Sequence, residues 1–452
     1  MLLHVRKERP QAERLRWYNV FKTIVNAFKI PDLRRKMLFV LLILLIYRLG
    51  AVMPVPFVDA NVLATKFSAT NGSFFQYLNI MSGEAFSRAT LFALSIQPYI
   101  TASIVIQLLT IAIPALERMQ KEGEEGRKKL TAITRYVTVG LGLITSYGYY
   151  AYMKANGALI SFDNKTSSIL AALVIIACYS AGSALVMWMA EKINEFGIGN
   201  GISLILFANI VSSGPTIVSM LISFFRSGPW YIVAAEAIII ISLVIVVFVV
   251  FVTNSERRIP VQYAKKVVGR KMYGGQSSFL PIKLNMSGVM PIIFASSIVS
   301  LPTTIALLFP TPAEGSFWYG FQKFFSYQSW FYPIAMFLLI IAFAYFYAEI
   351  SFNPVEIANN LQKNGGTIRG IRSGRPTVDY IRRVRGRITL IGALFLDIVA
   401  VFPLIVNLCT GSSLGSIAFG GSSLLIVVGV ALETVTELEA QMTMRHYKGF
   451  LE

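Results

Sequence analysis

Charge is scarce in this chain. Only 14% of its 452 residues are charged, against roughly 25% in ordinary soluble domains, and 23 Asp and Glu face 41 Lys and Arg. The two histidines, His4 and His446, lie in the tails, so neither a histidine base nor a histidine metal site is available in the body of the protein. The two cysteines, Cys178 and Cys409, fall inside apolar runs and read as small buried residues, with no Cys/His cluster at metal spacing. No GxxxxGKS or GxxxxGKT phosphate loop occurs. The first 36 residues hold ten Lys and Arg but no apolar core, so the expectation is no cleavable signal peptide and a first apolar run that is a true span. Together these absences point away from bond chemistry: no catalytic residues, no cofactor, no metal.

What the chain does have is grease. Hydrophobic residues make up 55% of it and the mean hydropathy is +0.62. Crossing a hydrocarbon layer of roughly 30 Å takes about 20 helical residues, and ten such runs can be placed near 37 to 53, 94 to 113, 132 to 153, 168 to 190, 201 to 223, 231 to 253, 287 to 309, 331 to 350, 388 to 409 and 415 to 435. Of the 41 Lys and Arg, 34 lie in the two tails and alternate connections, leaving Arg48, Lys66, Arg88, Lys154, Lys165, Arg226 and Lys323 on the other side. The positive-inside bias then puts both termini in the cytoplasm. The expected architecture is an all-α polytopic membrane protein, and topology accounts for most of the formal charge of +18.

Two cytoplasmic connections exceed what topology needs. Residues 254 to 286 carry Arg257 and Arg258 among seven cations, and 351 to 387 carry Arg369 and Arg372 among eight. Such loops suit either anionic lipid head groups or a large acidic or RNA-containing partner. The external connection 224 to 230 falls midway along the chain, so residues 37 to 223 and 231 to 435 each hold five runs, as in proteins whose inverted halves open a path between them. Glycine-marked starts recur in GIGNGIS (197 to 203) and FGGSS (419 to 423), where small residues permit close helix contact or a break. Residues 73 to 93, SFFQYLNIMSGEAFSRATLFA, are mostly apolar yet hold Asn79, Glu84, Ser87 and Arg88, which argues against a lone spanning helix. They fit a re-entrant piece filling an external cavity or an interfacial helix on the outer surface.

The second run, SIQPYITASIVIQLL, raises the functional question. At about 100° per residue, Ile96, Ile100, Ser103 and Gln107 share one stripe, aliphatic at its outer end and polar at its inner end. A water-filled funnel closed by an aliphatic constriction would look like this, although polar side chains and paired isoleucines also serve ordinary helix packing. Pro98 and Thr101 are expected to ease a local break in that helix. An ion-coupled small-solute transporter is the rival reading, with Asp397 its best mid-membrane carboxylate and Glu236 a weaker one. A scaffold without a pore is a third.

Several of these stretches carry a resemblance. SIQPYITASIVIQLL, SGEAFSRATLFAL, KEGEEGRKKLTAITRY, GIGNGISLILFANIV, RRIPVQYAKKVVGR, LPIKLNMSGVMPIIFASSI, NPVEIANNLQKNGGTIRGIRSG and FGGSSLLIVVGV together resemble the SecY/Sec61-alpha family of protein-conducting channels, from about Phe21 to the C terminus. The resemblance implies ten transmembrane helices in two pseudo-symmetric, inverted halves with a re-entrant plug helix, in a bacterial cytoplasmic membrane. It implies an apolar pore ring of Ile96, Ile100, Ile202, Leu206, Ile293 and Ile426, with Leu206 where isoleucine is usual. It implies a plug over 73 to 93, including Phe75, Tyr77, Asn79, Ser82, Gly83 and Arg88. A lateral gate between the second and seventh spans would carry Thr101, Ser103, Gln107, Ser296, Ser297 and Thr303. The basic loops would dock a SecA motor or the ribosome through Arg257, Arg258, Arg369 and Arg372, and SecE and SecG subunits would complete the assembly. The substrates implied are unfolded, signal-sequence-bearing polypeptides. Residues 1 to 20 precede the point where members of this type usually begin, and their basic character suits anionic lipid.

Overall fold

The computed structural model describes residues 23–69, 79, 81–160, 164–227, 229–263, 266–268, 271–273, 277–306, 317–326, 329–410 and 415–448. Among the described residues each of the ten apolar runs lies mostly on helix. The helices are α1 (Pro31–Gly50), α2 (Ala60–Ala69), α3 (Gln97–Ala112), α4 (Pro114–Lys121), α5 (Glu124–Ala155), α6 (Lys165–Phe196), α7 (Gly201–Ser212), α8 (Gly214–Ser227), α9 (Pro229–Thr253), α10 (Met290–Ala306), α11 (Phe317–Phe324), α12 (Phe331–Ser351), α13 (Pro354–Lys363), α14 (Arg375–Thr410) and α15 (Gly415–Lys448). Five stretches among the described residues are long and apolar enough to cross a membrane unaided: 166–196, 201–223, 235–253, 331–363 and 375–406. The pair α3 and α4 adds a sixth if taken together, bent by 100°. Lipid cannot bond a free amide or carbonyl, so intrahelical hydrogen bonding is what lets these apolar runs be buried in a bilayer.

Proline and glycine set where helices begin and end. Pro98 sits in the first turn of α3, where its missing amide costs nothing, so it starts that helix and does not break it as expected from sequence. The break comes at the other end: Pro114 holds Ile113 extended (φ −109°, ψ 113°), and the chain turns sharply into polar α4. There Lys121 binds Glu117 at 2.6 Å, and that bond holds the Glu117 carboxyl below its usual range.

The two glycine-marked starts behave differently. In GIGNGIS, Gly199 takes φ +84° and the Asn200 side chain accepts hydrogen bonds from the amides of Ile202 (3.0 Å) and Ser203 (3.4 Å), so α6 ends and α7 begins. FGGSS runs inside continuous α15. Cys178 is half-buried, but Cys409 is exposed near the outer end of α14, against the expectation of burial. A thiol is apolar enough to be left uncovered on the surface of a membrane-spanning helix.

The two basic loops are not separate connections. Strand β1 (Glu256–Tyr263) pairs antiparallel with β4 (Ser277–Lys283), in the same loop, and with β5 (Gly366–Ile368) from the other, while β2 (Lys266–Val268) and β3 (Lys271–Tyr273) form a hairpin. Ile259, Val261, Ile282 and Ile368 alternate onto the buried face and pack on Ala358, Leu361 and Ile381. Buried Arg385 ties this platform to the bundle by donating to the Phe352 carbonyl (3.0 Å) and pairing with Glu349.

Most of the buried apolar side chains belong to one cluster that draws on both halves of the sequence, among them Tyr47, Ile104, Ile205, Val249, Phe294, Ile340 and Leu425. A second, lying within the first half, gathers Phe86, Tyr149, Ile175 and Tyr179. Where α6 meets α7 the approach is close at Gly201, where an added Cβ would stand 2.1 Å from the Ala190 carbonyl oxygen. Gly201→Ala is therefore expected to force α6 and α7 apart and to cost about 1–3 kcal/mol, read as a lowered thermal midpoint of the purified protein. Gly140→Ala, with nothing within 4 Å of its added methyl, is the matched control and should be neutral.

Candidate functional site

The site grows from the start of α3. Ile96 precedes the helix (φ −90°, ψ 0°) and Ile100 lies one turn in, and both are buried to 1% exposure. The Asn200 cap turns α7 so that Ile202 and Leu206 face inward, α10 brings Ile293, and α15 brings Ile426. All six belong to the single buried cluster described above. They come from four helices, two in each half of the sequence, and α3 packs on α10 while α7 packs on α15. A leucine at 206 keeps the cluster purely aliphatic at these positions.

Residues 82 to 96 run over this cluster as successive turns. Met81 and Ala85 are buried in it, and a small pocket is lined by Met81, Ser82 and Phe86 together with Ile96 and Leu206. The segment binds itself through Asn79, whose carbonyl accepts from the Glu84 amide (2.8 Å) and the Ser82 hydroxyl (3.1 Å), and whose side chain accepts from the Ser87 amide (2.9 Å). Gly83 takes φ +64° with Ser212 2.6 Å from where a Cβ would stand, so glycine is required twice over. Arg88 bridges to Glu84 at 2.6 Å and is otherwise exposed. Phe75 and Tyr77 lie outside the described residues.

Along the α3–α10 seam the named polar residues mostly bond within their own helices. Ser296 and Ser297 both donate to the Ile293 carbonyl (2.9 and 2.8 Å), Thr303 donates to the Ser300 carbonyl (2.7 Å), and Thr101 is buried near the start of α3. Gln107 donates to Ser103 (3.3 Å) and accepts from the Tyr347 hydroxyl of α12 (2.8 Å). Gln97 donates to Ser300 of α10 (3.3 Å). Across this seam the bonds thus join Gln97 to Ser300 and Gln107 to Tyr347, and of these Gln97, Ser300 and Tyr347 were not named as gate residues from sequence. Gln97 stood in the quoted motif, but only the packing could show which hydroxyl it reaches.

The loop platform exposes Arg257 and Arg258 on β1, Arg369 after β5 and Arg372 in the turn before α14. Arg258 is engaged with Glu256 at 2.6 Å. Among the described residues Arg257, Arg369 and Arg372 make no ion pair. Asp397 is buried to 1% exposure on α14, and both its carboxylate oxygens lack a partner among the described residues; Glu236 is exposed.

A family model described as SecY matches residues 90–435. The Protein translocase subunit SecY of Streptomyces coelicolor is 43% identical over 438 residues, 94% of this chain and 98% of that protein. That of Mycobacterium tuberculosis is 42% identical over 447 residues, 96% of this chain and all of its own. Among solved structures, one described as "The structure of a protein conducting channel" superposes with a TM-score of 0.63 at 19% identity, over 90% of this chain and 92% of that one. Sec61 in the canine ribosome-channel complex from the endoplasmic reticulum gives 0.58 at 18% identity, with the same coverage. At these identities the structures speak to the fold.

The Tyr347 to Gln107 bond generates a prediction of its own. Tyr347→Phe removes the donor at a cost of about 1 kcal/mol, which favours separation of α3 from α10 and α12. The yield of an oxidative cross-link between cysteines placed at 97 and 300 should fall by several-fold.

Proposed function

The chain belongs to the SecY family of protein-conducting channels, and from that premise we propose how its own residues seal and open the path. The protein passes unfolded polypeptide through a membrane, and Ile96, Ile100, Ile202, Leu206, Ile293 and Ile426 are its constriction. The observation that supports this reading is that six branched aliphatic side chains, from α3, α7, α10 and α15, all belong to one buried cluster that draws on both halves of the sequence. An aliphatic waist excludes ions because stripping their water is costly, and it needs no charge to do so. It yields to a polypeptide because dispersion contacts are non-directional and can be remade against a passing side chain.

Residues 73 to 93 are the plug. The reading is supported by the pocket that Met81 and Ser82 share with Ile96 and Leu206. Lateral release of apolar segments uses the α3–α10 seam, where Gln97, Thr101, Ser103, Gln107, Ser296, Ser297, Ser300, Thr303 and Tyr347 supply polar contacts that water can replace as the helices part.

The basic platform is the docking surface for the driving partner. Arg257, Arg369 and Arg372 are exposed on a sheet that joins both loops, so a load on one loop reaches the other. Arg258 contributes less, being held by Glu256. The canine Sec61 structure is that of a ribosome-channel complex, and we take a ribosome, or a SecA-type motor, as the partner here, with SecE and SecG as companion subunits. Both termini face the cytoplasm of a bacterial cell. The transporter reading finds no support among the relatives, and buried Asp397 has no hydrogen-bonding partner among the described residues.

Two measurements test this. Ile100→Ser with Ile293→Ser should raise resting ion conductance of reconstituted vesicles by at least about tenfold, since polar substitution lets water wet the waist; background leak would remove the constriction from these residues. Arg372→Glu should cut motor- or ribosome-driven transport severalfold while the protein still inserts and folds, because it reverses a docking charge on an exposed turn.

A further inference from the structure

The hydrogen bonds that hold residues 79 to 95 divide them into two parts. The later part is fastened many times over. The Tyr149 hydroxyl donates to the Phe86 carbonyl and the Tyr179 hydroxyl to the Ala89 carbonyl (3.4 Å). The Val55 amide donates to Ala89 (3.0 Å), the Leu91 amide donates to Met53 (2.9 Å), and Pro54 and Thr90 form a β-bridge. Gly182 of α6 sits against the Leu91 carbonyl so closely that a Cβ would stand 2.1 Å away. Tyr149 and Tyr179 are themselves fully buried.

The earlier part, 79 to 84, is held to the bundle differently. The fully buried Asn209 amide of α7 donates one hydrogen to the Met81 carbonyl (2.8 Å) and the other to Ser95 (3.0 Å), whose hydroxyl lies 3.2 Å from that of Tyr47. Glu84 accepts from Thr216 of α8. The orientation of the Asn209 amide is forced, since turning it over would set its oxygen against a carbonyl oxygen. Among the described residues its own oxygen is then left buried without a partner, as is Nη1 of Arg48 beside Gly83. Unsatisfied buried groups subtract from the stability of the state that holds them. Glu84, at φ +68°, adds backbone strain in the same part.

We infer that residues 86 to 92 are a fixed root and residues 79 to 84 a releasable tip, latched by the Asn209 side chain. This rests on reading 73 to 93 as the plug. The bonds named come from α1 and the segment after it, α5, α6, α7 and α8, all in the first half of the chain, whereas Met81 and Ala85 belong to the apolar cluster that includes side chains of the second half. Parting the halves therefore leaves the latch closed and uncovers only the apolar side of the tip. Displacement of the tip needs a second event, competition for the Asn209 amide by the carbonyls of a polypeptide threading the waist. An extended chain offers such carbonyls at every residue; a small ion or a solute does not.

The test uses the full-length chain in its membrane assembly. Asn209→Ala and Asn209→Leu should raise resting ion conductance about tenfold, the equivalent of roughly 1.4 kcal/mol. Hydrogen exchange at amides 82 to 84 should speed up by a similar factor while amides 89 to 92 stay protected. Tyr149→Phe should speed exchange at 86 to 91 with less effect on 82 to 84. If the Asn209 variants accumulate poorly, Ser95→Ala, which removes one of the two acceptors, should give the same pattern at about threefold. Wild-type leak and wild-type exchange at 82 to 84 in these variants would overturn the latch, provided that deleting 73 to 84 does leak. Loss of protection over the whole of 82 to 92 would overturn the division into root and tip. A silent deletion would overturn the plug reading and the latch with it.

Discussion

Everything in this molecule depends on a contact between its two halves that is mostly aliphatic. Ile96, Ile100, Ile202, Leu206, Ile293 and Ile426 sit in a cluster held by dispersion and exclusion of water, interactions without direction. Such a contact is tight when closed and has no obligatory partner when opened, so the halves can part without stranding a buried donor. The hydrogen bonds across the seam from Gln97 and Gln107 are side-chain bonds at the margin of that cluster, where water can take them over. Backbone polar groups are already satisfied inside each helix, which is the condition for a path to open in a membrane at all.

The polar chemistry has been placed where it controls timing. Asn209, Ser95 and Tyr47 make a small buried network in an otherwise apolar wall, and networks of this kind impose one arrangement because the alternatives leave more groups unbonded. Here the arrangement is incomplete, with the Asn209 oxygen left over. An imperfect latch suits a segment that must hold against ions and give way to a chain. The root, by contrast, is built from two fully buried tyrosine hydroxyls and a β-bridge, so the tip always has a fixed point to return to.

On the cytoplasmic side the three-stranded sheet changes the meaning of the two basic loops. Alone, each is a charged connection that would suit lipid as well as protein. Joined through β1 and β5, and tied to the bundle by the pairing of Arg385 with Glu349, they form one platform whose arginines keep fixed spacing. Fixed spacing favours a large structured partner over a fluid lipid surface. The same platform leads directly into α10 and α14, so a force applied there reaches the seam.

Much of this was legible in the chain because it depends on local rules. Hydrophobic length gives the spans, the bias of Lys and Arg gives their direction, and the stripe of Ile96, Ile100, Ser103 and Gln107 follows from helical period alone. Close helix contact or a break was the reading open for the glycines of GIGNGIS, whereas Asn200 as a cap came from the structure. What only the tertiary structure decided are pairings between distant residues: Gln107 with Tyr347, Gln97 with Ser300, Asn209 with Met81, β1 with β5, and the starting rather than breaking role of Pro98. Period and composition report which face a residue occupies, but a hydrogen bond between residues more than a hundred positions apart depends on how whole helices are set against one another, and no local pattern carries that information.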